Sequence, residues 1–310
     1  MLGHLRKPAK RQVFNASQHR IIANSFPTVP GMERMTFSVR SQCAHIYLPA
    51  ARLVLASATL MIWLGVATVY AGTLVNFPNV GEHPYPPQLL GYLARPDDPG
   101  PFPAVIVLHG CNGFSAASAA IADDLKSLGY VALTVDSLGP RNSTGECGRF
   151  FVGQELDAYT ALAYLSLLPY VDPNRVAVLG NSMGGYSALL AVQRGALEKR
   201  FDRKFRAAIA YYPSCRGFSA IMTAPTMILI GDADDWTPAE ACRKMIAQPH
   251  TDGAKIDLVI YPGAYHGFNF PQLQPGIRVL GHWLEYDKHA ATDAWDKVST
   301  FLATNLARSP

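Results

Sequence analysis

The sequence predicts an α/β fold, a mostly parallel sheet covered by helices on both faces. Three observations carry this expectation. Short, continuously apolar runs such as Ala104–Leu108 and Val131–Val135 read as strands buried on both faces. Longer segments between them place apolar residues at helical spacing. The two alternate along the chain, the pattern of parallel strands joined by crossover helices.

The elements follow in order. Gln88–Ala94 is an early strand, and the first strands are free to run antiparallel. Ala104–Leu108 is the next clear strand. A helix around Ala119–Leu128 follows, with Ala120, Ile121, Asp124 and Leu125 at helical spacing. Val131–Val135 is a strand. Glu155–Leu168 is a helix whose apolar face holds Leu156, Tyr159, Ala163 and Leu167. Arg175–Leu179 is a strand leading to a helix at Tyr186–Val192. Ala207–Tyr212, Pro225–Ile230 and Ile256–Tyr261 are the last strands, and a closing helix falls within Tyr286–Leu306. No repeat or linker divides residues 72–310. They are expected to form one domain of about 240 residues, long enough to bury a large core.

Between the strand at Arg175–Leu179 and its helix stands Gly180-Asn181-Ser182-Met183-Gly184-Gly185. This is G-x-S-x-G in a strand–turn–helix setting, which forces the serine into a strained turn and exposes its hydroxyl. A helix N-terminus beneath it favours developing negative charge. Two partners follow in chain order. The strand at Pro225–Ile230 ends in Gly231-Asp232-Ala233-Asp234-Asp235-Trp236. A carboxylate there is placed to orient an imidazole. Asp234 is favoured, Asp235 is the alternative, and Asp232 reads as a turn residue. The strand at Ile256–Tyr261 leads into Pro262-Gly263-Ala264-Tyr265-His266-Gly267, whose glycines let His266 reach Ser182. Ser182, Asp234 and His266 are therefore the candidate catalytic residues.

Leu108-His109-Gly110, Asp136-Ser137-Leu138-Gly139-Pro140-Arg141, Gly180–Gly185, Tyr212-Pro213, Gly231–Asp234 and Tyr265-His266-Gly267-Phe268 together resemble the dienelactone hydrolase family of the α/β-hydrolase superfamily. The resemblance runs from about Val75 to Leu306. It implies the α/β-hydrolase fold and a carboxylic ester hydrolase acting on small esters or lactones, without a cofactor. The family's founding enzymes carry a cysteine nucleophile where this chain has Ser182. A serine needs a general base throughout, so the expected activity is a serine-dependent esterase. In hydrolases of this architecture the oxyanion donors are the amide after the nucleophile and one from the loop after the third strand. Here they fall on Met183 and Cys111. His109 precedes that loop and reads as a structural hydrogen-bonding residue.

Substrate contacts are less specific. Arg141 and Arg149 flank the loop after the fourth strand. Arg141 is a candidate for a substrate carboxylate, with bracing of its own loop as the alternative. Trp236 and Tyr265, beside the acid and the base, are candidate rim aromatics. Only about nine residues separate the end of the sixth-strand segment, taken near Cys215, from the acid strand at Pro225. That leaves no room for a large lid there, so an open site and a preference for short acyl groups are expected. His250, His282 and His289 have no second ligand at metal spacing, so no metal is expected. No glycine-rich phosphate loop implies a nucleotide.

Four cysteines fall in the predicted domain. Cys111 and Cys147 follow the third and fourth strands, which are expected to be neighbours. Cys215 follows the sixth strand, and Cys242 lies in the helix after the seventh. Cys111–Cys147 and Cys215–Cys242 are the expected disulfides, with four buried thiols as the alternative.

Residues 1–71 differ from the rest. Leu53–Val69 is an almost unbroken apolar run, preceded by Arg40 and Arg52 and followed by Val69-Tyr70-Ala71. This is the layout of a signal peptide cleaved near Ala71, with a long leading extension or a true start at Met35. The alternative is an uncleaved membrane anchor at 53–69. Residues 1–71 hold eight Lys and Arg against one acid, Glu33. The remainder carries 19 basic and 22 acidic residues, a net charge of about −3. The predicted domain therefore has no basic excess to suit a nucleic acid. An exported enzyme with no stable membrane association follows, with its oligomeric state not fixed by sequence. Two rival functions remain. One is a peptidase of the prolyl-oligopeptidase type, for which the chain has no propeller domain. The other is a non-catalytic binding protein on the same scaffold.

Overall fold

An eight-stranded sheet forms the centre of the fold. In the computed structural model the described residues are 72–80, 86–143, 145, 147–148, 153–195, 197–249 and 252–308. They belong to one unit, Gly65–Pro310. The apolar run at 53–69 and the expected cleavage site at Ala71 lie outside the described residues. So do Arg149 and His250.

The strands are β1 (Thr73–Pro78), β2 (Gln88–Ala94), β3 (Phe102–Leu108), β4 (Val131–Asp136), β5 (Val171–Asn181), β6 (Ala207–Tyr211), β7 (Thr226–Gly231) and β8 (Ile256–Tyr261). Their spatial order is β1-β2-β4-β3-β5-β6-β7-β8. β2 runs antiparallel to both neighbours, and β3 to β8 are mutually parallel. Ala104 to Leu108 are wholly buried, as a central strand covered on both faces must be. Four helices matter for the site: α1 (Ala116–Ser127), α2 (Gln154–Leu165), α3 (Met183–Val192) and α4 (Ala239–Ile246). A fifth, α5 (Lys288–Asn305), closes the chain and buries Ala290, Ala294, Val298, Phe301 and Leu302. Their spacing is one face of a helix.

Besides β1, which the sequence reading left unassigned, three differences between sequence and structure stand out. β5 starts at Val171, earlier than the apolar run at Val176, and its pairing to β3 shifts between Phe102 and Ala104. Pro173 interrupts the pattern there and hides the extended start. β6 ends at Tyr211, so the connection to β7 is residues 212–225. The third difference bears on function. Residues 271–284, unassigned in the sequence reading, form a short 3-10 turn at Pro271–Leu273 and a hairpin, β9 (Ile277–Val279) with β10 (His282–Leu284). Three-residue strands are too short to show a period.

The structure joins Cys111 to Cys147 and Cys215 to Cys242, with Cα atoms 4.8 and 4.9 Å apart. Two disulfides point to an oxidising compartment, extracellular or periplasmic. Among the described residues, no helix is long and apolar enough to cross a membrane.

Candidate active site

Ser182 sits between β5 and α3 with φ 55° and ψ −113°. Such a conformation is costly for a residue with a side chain and persists only where its surroundings enforce it. Two close approaches do so. A side chain at Gly180 would overlap the Gly184 carbonyl, and one at Gly184 would overlap the Leu108 carbonyl. The Ser182 amide donates to Tyr211 O at 2.9 Å, and its carbonyl accepts from the Tyr186 amide at 2.9 Å. The elbow is thus held from β6 and from the first turn of α3. The amide of Met183, the first residue of that helix, has no intrahelical acceptor.

His266 follows β8 in a loop where Gly263 and Gly267 have φ of 75° and 78°. His266 and Asp234 are each 3% exposed. His266 Nδ1 donates to Asp234 Oδ2 at 2.8 Å, and Ser182 Oγ lies 2.9 Å from His266 Nε2. The carboxylate accepts at Nδ1, so the proton resides there and the Nε2 lone pair faces the serine hydroxyl. Asp234 is itself well held. Its Oδ1 accepts from the amides of Trp236 and Thr237 at 2.9 and 2.8 Å. Its Oδ2 accepts from the Thr237 hydroxyl at 2.8 Å.

The other two aspartates point elsewhere. Asp232 Oδ1 accepts from the Gly263 amide at 2.7 Å and closes a turn. Asp235 is solvent-facing and lies 3.2 Å from His282 Nδ1.

Cys111 stands in the turn after β3, where the Gly113 amide donates to Gly110 O at 3.1 Å. His109 braces that turn from behind. Its Nε2 accepts from the Ser137 amide at 3.1 Å, so its proton is on Nδ1, which donates to Gly110 O at 2.7 Å. Burial pushes the His109 imidazole below its ordinary pKa, and it stays neutral.

Arg141 does not face the site. Its guanidinium makes two 2.8 Å bonds to the Asp157 carboxylate and donates to Ser137 O at 2.6 Å. The fork geometry of arginine fits a carboxylate of its own chain, and the substrate-binding expectation for Arg141 is corrected to a loop brace. Tyr265 is half-buried and is not among the residues that line the cavity. Trp236 does line it, with its ring 5.1 Å from that of His266.

Four residues escaped the sequence reading. Thr237 supports Asp234. Asn181 Nδ2 donates to the Tyr212 hydroxyl at 3.0 Å, which donates to Asn269 Oδ1 at 2.6 Å. This chain ties the residue before Ser182 to the loop beyond His266. Burial pushes the Tyr212 hydroxyl well above its ordinary pKa, so it remains a donor. Thr237, Asn181 and Asn269 lie within three residues of Asp234, Ser182 and His266, and Tyr212 appeared in the sequence only as a strand end and within the Tyr212-Pro213 motif, with no chemical role attached.

Ser182 and His266 form the floor of a cavity of about 450 Å³. The expectation of an open site is corrected here. The short connection after β6 adds no lid, but the hairpin and the turn before it cover one side with Leu273, Ile277, Val279 and Leu284. Among the described residues, no group of three His, Cys, Asp or Glu side chains could hold a metal ion.

This sheet order, with a serine at the β5–α3 elbow and a histidine after β8, defines an α/β-hydrolase, and its relatives mark it as a carboxylic ester hydrolase. The chain belongs to the dienelactone hydrolase family, whose profile matches residues 89–306. A Bradyrhizobium protein named "probable 2-oxo-3-(5-oxofuran-2-ylidene)propanoate lactonase" is 28% identical over 235 residues, 70% of this chain and 90% of its own. A Synechocystis protein assigned as a carboxymethylenebutenolidase is 26% identical over 255 residues, 76% of this chain and 97% of its own. Among solved structures, a dienelactone hydrolase-like promiscuous phosphotriesterase from metagenomic libraries superposes with a TM-score of 0.61 at 20% identity. That match covers 76% of this chain and 99% of the other, and it speaks to fold alone.

Proposed function

We propose that the protein is a serine esterase that cleaves small esters or lactones through Ser182, His266 and Asp234. The observation that carries the reading is the continuous 2.9 and 2.8 Å path from Ser182 Oγ through His266 to Asp234, at the floor of a ligand-sized cavity. Ser182 Oγ attacks the ester carbonyl while His266 Nε2 takes its proton. The Met183 and Cys111 amides stabilise the oxyanion. The tetrahedral intermediate collapses, His266 returns the proton to the departing alcohol, and the acyl group stays on Ser182. A water, deprotonated by His266, then attacks the acyl-enzyme and frees the acid. Asp234 keeps the proton on Nδ1 and stabilises the imidazolium that forms in each half-reaction.

A fluorophosphonate probe and a panel of nitrophenyl esters test this. The native protein should label and turn over esters, and Ser182→Ala should do neither while melting like the parent. Labelling that survives Ser182→Ala would sink the proposal. We also infer export after cleavage near Ala71, supported by the apolar run at 53–69 and by the two disulfides. N-terminal sequencing of the native protein should read Gly72 or a close neighbour. An intact, membrane-embedded chain would favour the anchor.

A further inference from the structure

We propose that the β9–β10 hairpin is an acyl clamp: it selects uncharged esters with a medium-length apolar acyl chain and rejects acyl groups that carry a carboxylate. The inference rests on the esterase reading above and names the substrate class of that same site.

Position comes first. Leu284 of β10 forms a parallel bridge with His266, so the hairpin is registered against the base itself. Ile277 and Val279 of β9, with Leu273 of the preceding turn, extend the same apolar wall along the cavity. Ile121 of α1 and Phe270 also contribute to the lining. An acyl chain leaving the Ser182 carbonyl would therefore run along aliphatic side chains. The cavity, at about 450 Å³, lies at the modest end of small-molecule sites. Its aliphatic wall suits hexanoate or octanoate better than acetate.

Charge comes second. The described residues that line the cavity include no lysine, arginine, aspartate or glutamate. Of the two arginines singled out in the sequence, Arg141 is committed to Asp157, and Arg149 lies outside the described residues. Among the described residues a carboxylate drawn into this space would lose its hydration and meet no cation. The two curated relatives carry names that specify a propanoate and a carboxymethylene-butenolide substrate, both bearing that group. This chain should discriminate against it.

Rigidity comes third. The hairpin is fastened on both faces. On the face that carries Val279 and Leu284, His282 stacks on Trp236 and lies 3.2 Å from Asp235. Arg278 lies over the Trp283 ring at 5.5 Å. A pre-formed wall spends little binding energy on ordering itself.

The test uses the full chain. kcat/KM is measured on nitrophenyl acetate, butyrate, hexanoate, octanoate and palmitate. A second comparison sets methyl hexanoate against monomethyl adipate, which differ only in a terminal methyl or carboxylate. A fully buried methylene is about fourfold in kcat/KM. With partial burial, hexanoate should exceed acetate by at least about tenfold, and palmitate should fall back. Methyl hexanoate should exceed monomethyl adipate by at least about fiftyfold. Ile277→Ser and Val279→Ser should each lower the hexanoate-to-acetate ratio about fivefold. Should either variant fail to fold, the ratios on the native chain decide. Acetate as the best substrate, equal rates on the matched pair, or an unchanged ratio in folded variants would overturn the clamp while leaving the esterase intact. No turnover on any ester, together with no fluorophosphonate labelling, would overturn both.

Discussion

His282 lies flat on Trp236, with ring centroids 5.0 Å apart and planes 15° from parallel. Trp236 in turn lies 5.1 Å from the ring of His266. His282 belongs to the hairpin, Trp236 to the acid loop and His266 to the loop after β8. A chain of three rings, the first pair stacked and the second tilted by 36°, therefore links the cavity wall to the imidazole.

Trp236→Ala should lower kcat/KM on nitrophenyl hexanoate by about 10- to 100-fold. It removes a cavity wall and frees the His266 ring, and aromatic contacts of this kind contribute roughly 0.5–1.5 kcal/mol beyond area burial. His282→Ala should cost only about three- to tenfold. It loses one stacked face and a partly exposed contact with the Asp235 carboxylate, and surface contacts of this kind contribute roughly 0–1 kcal/mol. Steady-state kinetics on both variants checks the order. Equal losses would mean that Trp236 acts only as an anchor for the hairpin.

The acid assignment separates Asp234 from its neighbour. Asp234→Asn should lose on the order of 10³–10⁴ in kcat, because the amide no longer holds the Nδ1–H form of His266. Asp235→Asn should change kcat less than about threefold, since Asp235 meets only His282 at the surface. Thr237→Val keeps the shape, removes the hydroxyl donor to Asp234, and should cost about three- to tenfold. If Asp235→Asn is the more damaging of the two aspartate changes, Asp234 is not the working acid.

Much of this was legible because the fold writes itself as buried runs. Ile256–Tyr261 appears in the structure with the same bounds as in the sequence, and Val131–Val135 grows by one residue. Ser182 was legible because its glycines are demanded by backbone contact, and Asp234 and His266 because each follows such a run. Arg141 was ambiguous for a physical reason. A guanidinium suits an internal carboxylate as well as a substrate, and Asp157 sits 16 residues away on α2 with no signal of pairing. The hairpin was invisible, since Ile277–Val279 and His282–Leu284 are stabilised by what they cover and not by local pattern. The expectation of an uncovered site failed for that reason.

The two disulfides should differ in effect. Cys111 lies in the turn after β3 that is proposed to supply an oxyanion donor, and Cys147 also lines the cavity, whereas Cys215 and Cys242 tie the segment after β6 to α4. Replacing either pair by alanine should cost roughly 2–4 kcal/mol of stability. Only Cys111→Ala with Cys147→Ala should also lower kcat, by about tenfold, as the turn loosens. The measurement is thermal melting with kcat on both double variants at a temperature where each is folded. A kcat loss from the Cys215 and Cys242 pair alone would contradict this division.

His109 should make stability fall in mild acid. Burial holds its folded-state pKa below the ordinary value, while the unfolded chain takes up a proton near about pH 6.5. Below that pH the unfolded state binds a proton that the folded state refuses, so stability present above about 6.5 is lost as the pH falls. Protonation would also set a donor at Nε2 against the Ser137 amide, which now donates to it. His109→Asn keeps a donor for Gly110 O but leaves the Ser137 amide without its acceptor. It should cost about 1–3 kcal/mol at pH 7.5. Because the titrating group is gone, its stability should decline less steeply between pH 6.5 and 5 than that of the native protein. Denaturant melts at pH 5, 5.5, 6.5 and 7.5 on both proteins give the two slopes. Parallel slopes would show that another group carries the acid sensitivity. A variant that keeps full kcat at pH 7.5 would show that the oxyanion turn holds its shape without this imidazole.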